Sequence, residues 1–359
     1  MSARPTANAR GVRQKSFCPA PPGIFLFHRK TIPSGTQWCI DYLPGSSRIV
    51  SGDSPPNYNL TLPKERTHIM GIYSDILLTV DYDRTLTARD SSIPERNLEA
   101  IRYFMENGGA FTVNTGRSVP MTRVFADKVP VNAPLLLYNG SAAYDPHEKQ
   151  LSFMHAIDLD LWKTVRELLA TFPRMTVEVQ GVDAHYIFTP NPMWDAFSEG
   201  NNCAHATVPL DTDLGPFLKF TLYGEFHTEV LSDMFGGTAE EVAEMDAAEA
   251  LLKQMYGNKV EVFRAAARII DVHAHGVSKI RSARELQARL GRKILVCAGD
   301  AHNDIPMLEG ADFAYVPSDA VLADRFENVC ECGEGAVADV IYKKIPEILK
   351  KQLDSSENP

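Results

Sequence analysis

Apolar residues alternate along most of this chain between short β-type runs and helical repeats, beginning near Ile72. The first part of the pattern predicts strand, helix, strand, helix and strand over Ile76–Val80, Pro94–Asn107, Ala110–Asn114, Ser118–Lys128 and Pro134–Tyr138. The same alternation returns late in the chain, over Val277–Leu290, Ile294–Ala298, Asn303–Glu309, Phe313–Val316 and a last helix ending near Leu353. Strands that alternate with helices are typical of a parallel sheet with crossover helices.

Between these two stretches the pattern changes. Segments of period two appear at Leu151–Ile157, Thr176–Gln180, Phe217–Tyr223, Val260–Phe263 and Arg268–Val272, with helical patterns at Leu159–Thr171 and Ala247–Tyr256. Such alternation of apolar and polar positions is typical of antiparallel sheets. The sequence therefore predicts one α/β domain, residues 70–142 and 275–359, interrupted by an α+β domain at residues 143–274.

The first 69 residues follow neither pattern. They hold nine of the 23 prolines and nine Lys and Arg residues against three acids, so they carry a net charge of +6 and the rest of the chain −16. One interpretation is a disordered basic arm. The alternative is untranslated upstream sequence, with translation starting at Met70 directly before the first strand. The intact mass of the native protein distinguishes the two.

Composition narrows the class of protein. The chain has 359 residues and a net charge of −10 at pH 7, which argues against nucleic acid or an anionic membrane as the main partner. No apolar run approaches the roughly 18 residues that a membrane span needs. The six cysteines show no pairing pattern, and reduced thiols in a cytoplasmic protein are the simplest interpretation.

Polar side chains collect where three strands of the predicted α/β domain end. The three segments are Asp81-Tyr82-Asp83-Arg84-Thr85, Thr115-Gly116-Arg117 and Gly299-Asp300-Ala301-His302-Asn303-Asp304. The carboxyl ends of strands form the ligand crevice of open α/β sheets. Convergent carboxylates favour a hard cation, so the sequence predicts Mg²⁺ there together with a substrate phosphate. One carboxylate can then act as nucleophile and a second as acid and base.

Lys279 points to the same chemistry. It lies in the first turn of the helix predicted from Val277, where a cation opposes the helix dipole. A bound phosphate would remove that penalty, because helix N-termini and lysine both attract phosphate oxygens. Phosphoryl transfer depends mainly on positioning and on cationic stabilisation of the phosphoryl oxygens.

These four segments, in this order, resemble the motifs of the haloacid dehalogenase superfamily. The strings "YNGSAAYD" after the third strand and "GVSKI" around the lysine are similar to its Cof-type (class IIB) hydrolases. The resemblance extends from about Gly71 to Leu353 and implies an α/β, Rossmann-like core with a parallel sheet and an inserted α+β (C2-type) cap domain. One departure is Arg84, where the family most often has glycine; we expect it to alter the following flap without abolishing activity.

The resemblance also implies which carboxylates act. Asp81 would be the nucleophile and a metal ligand, and Asp83 would be the acid and base with a further metal contact. Asp300 would ligate Mg²⁺, and Asn303 and Asp304 would support that ligand.

The phosphate and substrate contacts are implied in the same way. The transferring phosphoryl group would be bound by Thr115, Gly116 and Lys279, and the rest of the substrate by Arg117, Asn139 and Lys219. Lys219 lies in a period-two segment of the domain expected to close over the site. Ordinary core or surface roles are expected for other polar and aromatic residues, among them Trp194, His185, His205 and His302.

The sequence thus predicts a Mg²⁺-dependent phosphatase that hydrolyses a small phosphorylated metabolite, a sugar phosphate or a nucleotide-like cofactor, through an aspartyl-phosphate. A closing cap would exclude macromolecular substrates and much of the water. Two alternatives stay open. One is a phosphomutase, which returns the phosphoryl group to the substrate; the other, ranked lower, is a non-catalytic protein that binds or signals with phosphorylated metabolites. The oligomeric state is left open as well.

Overall fold

The structure is a computed structural model that describes residues 71–225 and 237–357, with side chains up to residue 352, and one hairpin nearer the N-terminus. The hairpin pairs β1 (Ile24–Ile32) with β2 (Gly35–Leu43) in antiparallel register. The rest of residues 1–70 lies outside the described residues. Both interpretations of that stretch therefore stay predictions.

The remaining secondary structure begins at Ile76. Its strands are β3 (Ile76–Val80), β4 (Ala110–Val113), β5 (Leu135–Leu137), β6 (Ala142–Asp145), β7 (Gln150–Met154), β8 (Thr176–Gln180), β9 (His185–Ile187), β10 (His205–Thr207), β11 (Lys219–Tyr223), β12 (Val260–Ala266), β13 (Ile269–Ala274), β14 (Ile294–Ala298), β15 (Phe313–Pro317) and β16 (Glu327–Val329). Its helices are α1 (Glu95–Glu106), α2 (Leu161–Thr171), α3 (Pro192–Gly200), α4 (Ala239–Tyr256), α5 (Lys279–Arg289), α6 (Ile305–Glu309), α7 (Ala336–Asp339) and α8 (Ile345–Glu357).

A parallel sheet forms the α/β core, in the strand order β16–β15–β14–β3–β4. Every residue of β3 is buried, because helices cover both faces of the sheet. Ile76 and Leu78 pack in one apolar cluster with residues of α1 and α8. Leu77 points the other way and packs in a second cluster with residues of α5 and α6. The predicted parallel core is confirmed, and it aligns the carboxyl ends of β3, β4 and β14.

The predicted third strand forms, but it belongs to another sheet. β5 pairs with β6, and β6 with β7, in antiparallel register. A parallel bridge between Asn114 and Leu136 joins this small sheet to the core. Phe153 of β7 packs in the same cluster as Leu77. The segment predicted at Leu151–Ile157 thus lies beside the core, and the domain boundary near residue 143 stays a prediction.

The helix predicted over Ser118–Lys128 is wrong. The chain forms a 3₁₀ turn at Pro120–Val124 instead, followed by further turns. The stretch contains the β-branched residues Val119, Thr122 and Val124, which lower helix propensity. The Thr122 hydroxyl also donates to the Val119 carbonyl at 2.8 Å, which competes with regular helix formation.

The cap is a mostly antiparallel sheet in the order β10–β9–β8–β11–β13–β12, with one parallel pair, β9 and β10. This confirms the expected inserted α+β element. Apolar residues of one face pack against α2 and α4. The opposite face of the three central strands is polar and also buried; it carries Glu178, Gln180, Lys219, Thr221, Asp271 and His273, called here the inner polar face.

No helix within residues 71–225 or 237–357 combines the length and apolarity that crossing a bilayer requires.

Candidate active site

Three buried carboxylates and one ammonium group meet at the carboxyl ends of β3 and β14. The Lys279 Nζ lies 2.5 Å from the Asp81 Oδ1 and 2.6 Å from the Asp304 Oδ1. One oxygen from each of Asp81, Asp300 and Asp304 lies within 4.8 Å of the others. The structure therefore brings together residues from the first and last motifs and the predicted lysine, which are up to 223 positions apart in the sequence.

Lys279 is held in place by its own helix and by the core sheet. It is the first residue of α5, and Ser278 caps that helix by accepting a hydrogen bond from the Arg281 backbone N–H at 3.3 Å. The Asn114 side-chain amide donates to the Lys279 carbonyl at 2.9 Å. The unfavourable position of a cation in the first turn is offset by the two carboxylates around its ammonium group.

Asp304 organises the loop after β14. Its Oδ2 accepts hydrogen bonds from the backbone N–H groups of Asp300 at 3.0 Å and Ala301 at 3.1 Å. A Cβ at Gly299 would lie 2.7 Å from the Asp304 Cβ and Cγ, so glycine there permits the close approach. The loop is thus fixed by hydrogen bonds that its own acidic residue accepts.

The charges of this cluster are not balanced. Burial raises the pKa of Asp81 well above its usual range; Lys279 opposes the rise and Asp304 adds to it. Burial also raises the pKa of Asp300 to about 7, again with a contribution from Asp304. Burial disfavours the charged Lys279, but Asp304 and Asp81 outweigh this and raise the pKa of the ammonium group. One cation faces three carboxylates away from water.

This donor set fits a hard divalent cation. It offers carboxylate oxygens from three buried residues and leaves negative charge that Lys279 alone does not neutralise. Mg²⁺ and Ca²⁺ prefer oxygen ligands, and a buried charge needs a partner of opposite sign. Asp81, Asp300 and Asp304 are thus the residues suited to hold such an ion.

Asp83 stands outside that group. Arg117 donates from Nε to the Asp83 Oδ2 at 3.0 Å and from Nη2 to Oδ1 at 2.8 Å. The Asp83 side chain is 50% exposed, whereas that of Arg117 is 18% exposed, and the guanidinium carbon lies 5.0 Å from the centre of the Tyr82 ring. The residue expected as acid and base is thus paired with a residue expected to contact substrate.

Arg84 adopts a backbone conformation that explains the glycine expected at its position. Its φ is 59° and its ψ 13°, in the left-handed region that glycine enters without steric cost. Its N–H donates to the Thr87 Oγ1 at 3.1 Å, which helps to hold the turn. The departure from the family pattern is accommodated by the same turn.

The second motif lies against Asn139. The Thr115 N–H donates to the Leu136 carbonyl at 2.9 Å, and the Asn139 N–H to the Thr115 carbonyl at 3.0 Å. A Cβ at Gly116 would lie 3.0 Å from the Asn139 Oδ1, so the loop passes close to that side chain. Thr115 and Asn139 are both buried.

The inner polar face of the cap contacts this loop at two points. Lys219 donates from Nζ to the Asp271 Oδ2 at 3.1 Å and to the Gly116 carbonyl at 3.5 Å. His273 lies between the Asn139 Nδ2, at 3.3 Å, and the Ser141 Oγ, at 3.1 Å. Burial lowers the pKa of His273 to about 3, so its ring is neutral at pH 7.

A third contact joins the cap to the residue after Arg117. His185 of β9 places its Nε2 2.7 Å from the Ser118 Oγ and its Nδ1 2.5 Å from the Glu178 Oε1. The Glu178 Oε2 accepts from the Trp194 Nε1 at 2.9 Å. Burial opposes the charged form of Glu178, but these partners outweigh it and lower its pKa to about 2.

A narrow crevice lies between the core and the cap. It is lined by Asn139, Ser278, Lys279, Asn303, Pro306 and Phe263. Phe263 comes from β12 and the others from the core, so the cap forms one wall beside the lysine. Asn303 is exposed in the last motif and faces this crevice rather than the buried carboxylates.

Several contributing residues were missed from the sequence, above all Glu178, Asp271 and His273. Their signal is period two: β8, β11 and β13 each alternate apolar and polar residues, as antiparallel strands with one solvated face do. Partners within the same sheet and the core loops bury that face instead.

Comparisons with known proteins all point to one family. A family described as haloacid dehalogenase-like hydrolase matches residues 78–321, more than half of the chain. The 5-amino-6-(5-phospho-D-ribitylamino)uracil phosphatase YitU of Bacillus subtilis is 23% identical over 242 residues, 66% of this chain and 83% of that protein.

Solved structures share the fold. A haloacid dehalogenase-like hydrolase from Bacteroides thetaiotaomicron superposes with a TM-score of 0.63 at 18% identity, covering 75% of this chain and 98% of the other. The class IIB sugar phosphatase BT4131 superposes with a TM-score of 0.58 at 18% identity, covering 76% and 99%. The chain therefore belongs to the haloacid dehalogenase-like hydrolase family, and the expected Cof-type, class IIB phosphatase is confirmed.

Proposed function

We propose that this phosphatase hydrolyses a small phosphorylated metabolite with Mg²⁺, through an aspartyl-phosphate formed on Asp81. The observation that carries the proposal is the buried group of Asp81, Asp300 and Asp304 around Lys279, with raised pKa values on Asp81 and Asp300. The relatives agree in substrate class, since one acts on a phosphoribityl compound and another on sugar phosphates.

Asp81 is the nucleophile in this proposal. Its carboxylate must be ionised to attack phosphorus, and the Lys279 ammonium group at 2.5 Å favours that form. Mg²⁺, held by Asp81, Asp300 and Asp304, would supply the remaining positive charge and polarise the phosphoryl oxygens. Asp304 keeps the Asp300 loop and Lys279 in register with the nucleophile.

The phosphoryl group would lie beside the second motif. Thr115 and Gly116 supply a hydroxyl and a backbone N–H, and Lys279 supplies a cation, so donors approach the transferring group from two loops. In the first step Asp81 bonds to phosphorus as the ester oxygen leaves. In the second, water attacks the aspartyl-phosphate, which releases phosphate and restores the carboxylate.

Asp83 moves the protons. It would donate one to the leaving ester oxygen and then accept one from the attacking water. Its side chain is 50% exposed, so a substrate from solution can reach it. Asp83 accepts two hydrogen bonds from Arg117, so an incoming phosphate that competes for Arg117 would free Asp83 to carry the proton.

The proposal is tested with p-nitrophenyl phosphate in the presence of Mg²⁺. Asp81→Asn removes the nucleophile and is expected to lower kcat at least ~1,000-fold. Asp127→Asn, the same change at an exposed residue, serves as the control and should retain wild-type turnover. Chelation of divalent cations should abolish the activity, and Mg²⁺ should restore it. Full turnover by Asp81→Asn, or by wild type in chelator, would contradict the proposal.

A further inference from the structure

The inner polar face contains an ion pair next to the predicted phosphate loop. The Lys219 Nζ lies 3.1 Å from the Asp271 Oδ2, and each side chain is 8% exposed. The Thr221 hydroxyl donates to the other Asp271 oxygen at 2.8 Å. Lys219 also reaches the Gly116 carbonyl at 3.5 Å. The pair therefore stands where the part of a substrate beyond its phosphate would emerge from the core.

Three cations around this position already have carboxylate partners. Lys279 is bonded to Asp81 and Asp304, Arg117 to Asp83, and Lys219 to Asp271. A second anionic group on the substrate would meet these compensated cations and the nearby carboxylates. Bringing like charges together costs several kcal/mol where water is excluded.

Neutral hydrogen-bond donors would find partners on the inner polar face and on the core loop that it contacts. Within the described residues, the Gln180 Oε1 and the Asn139 Oδ1 are buried and accept no hydrogen bond. A buried acceptor left in this state is unfavourable, and a ligand hydroxyl would satisfy it. Both atoms belong to side chains that border the Lys219–Asp271 pair or the Gly116 loop.

We propose that the Lys219–Asp271 pair makes this enzyme select phosphomonoesters with a neutral polyol leaving group and reject those carrying a second anionic group. This inference rests on the proposed phosphatase activity and narrows its substrate class. Asp271 neutralises Lys219, and the free acceptors of Gln180 and Asn139 receive hydroxyl donors. Selection thus acts on the leaving group, whereas the core acts on the phosphoryl group.

The test compares two substrates that differ by one group. D-Sorbitol 6-phosphate and 6-phospho-D-gluconate share a six-carbon chain, and the second carries a carboxylate in place of a terminal CH₂OH. Wild type is expected to favour sorbitol 6-phosphate in kcat/KM by about 100-fold or more, the equivalent of a like-charge penalty of several kcal/mol. Equal kcat/KM values for the two substrates would overturn the proposal.

Two variants of the pair should move this ratio in opposite directions. Asp271→Asn keeps an acceptor for Thr221 and releases the Lys219 charge, so the ratio should fall at least about tenfold. Lys219→Gln leaves Asp271 uncompensated, so the ratio should rise. A ratio that is unchanged in Asp271→Asn contradicts the inference. Should that variant fail to fold, the ratios of wild type and Lys219→Gln decide the matter.

The wild-type turnover of p-nitrophenyl phosphate distinguishes failure of this inference from failure of the proposed phosphatase function. No turnover of that compound or of either sugar phosphate would defeat the proposed function itself. Turnover without discrimination between the two six-carbon substrates would defeat only the charge selection.

Discussion

The core cluster and the inner polar face are both buried and both charged, yet the pKa values of Asp81 and Glu178, one carboxyl group from each, shift in opposite directions. In the core, Asp81, Asp300 and Asp304 share Lys279, and burial raises the pKa of Asp81 and Asp300. In the cap, Glu178 has enough partners for its pKa to fall to about 2 in spite of burial. The number of partners, and not burial, decides whether a carboxylate is stable as an anion.

This difference separates two uses of buried charge. The cap carboxylates are neutralised by neighbours in the same chain, so they can define a fixed surface against which a substrate is sorted. The core carboxylates share a single lysine, so they favour an additional cation from solution. The following predictions test this contrast, from the largest expected effect on stability to the smallest.

Removing a balanced charge from the cap should destabilise the protein. Glu178→Gln removes the charge that His185 and Trp194 surround, and it is expected to lower the free energy of unfolding by about 3 kcal/mol at pH 7. Urea denaturation measures it. The contribution of Glu178 is present above its unfolded pKa, about 4.3, and is lost as pH falls through about 2. The difference between variant and wild type should therefore shrink in acid.

The matched control for that change is Glu199→Gln, at an exposed glutamate. It should alter the free energy of unfolding by no more than about 0.5 kcal/mol. A Glu178→Gln protein as stable as this control would show that the cap carboxylate is not stabilised by its partners.

Removing an unbalanced charge from the core cluster should instead stabilise the protein. Because the pKa of Asp300 is raised to about 7, its contribution to stability is present below about pH 4 and is lost as pH rises through 7. Without divalent metal, Asp300→Asn is therefore expected to stabilise the protein by about 2 kcal/mol at pH 8. The gain should disappear near pH 4.

Added Mg²⁺ should stabilise wild type more than it stabilises Asp300→Asn. Binding to the folded state raises the Tm of wild type, whereas Asp300→Asn loses a ligand and should show a smaller rise. Differential scanning calorimetry with EDTA or Mg²⁺ measures both, with Asp127→Asn as the control. An identical Mg²⁺ response in the variant and wild type would place the cation elsewhere.

The smallest effect should come from Arg84, an exposed residue whose charge acts on Asp300. Arg84→Gly relieves the left-handed conformation and is expected to raise the free energy of unfolding by about 0.5 kcal/mol, after allowance for the greater freedom of glycine when unfolded. Arg84→Ala removes the same cation but keeps the conformation, so it should show no such gain. Equal stability of the two variants would rule out backbone strain as the reason for glycine in relatives.

The sequence was sufficient for the parallel core, because buried strands such as Ile76–Val80 are short apolar runs that end in the motif residues. Their convergence then followed from the geometry of parallel sheets. Proximity of Asp81, Asp304 and Lys279 is thus a property that local pattern and topology together specify.

The pairing of side chains could not be read in the same way. The bond between Asp83 and Arg117 depends on the path of two loops, and that between His185 and Ser118 on how the cap meets the core. The role of Asp271 was hidden because a polar residue in an alternating strand has the same pattern whether it faces water or a buried lysine. Local periodicity gives the face of a strand but not what covers that face.

The hydrogen bonds between cap and core have a consequence for the timing of catalysis. Lys219, His273 and His185 each bond to a core loop, and each such bond contributes about 1 kcal/mol. These three bonds alone would leave at most on the order of one molecule in a hundred open at equilibrium. Substrate would then enter, and phosphate depart, through a rare conformation. The parting of two surfaces would then be a step of every turnover, before and after the breaking of the P–O bond.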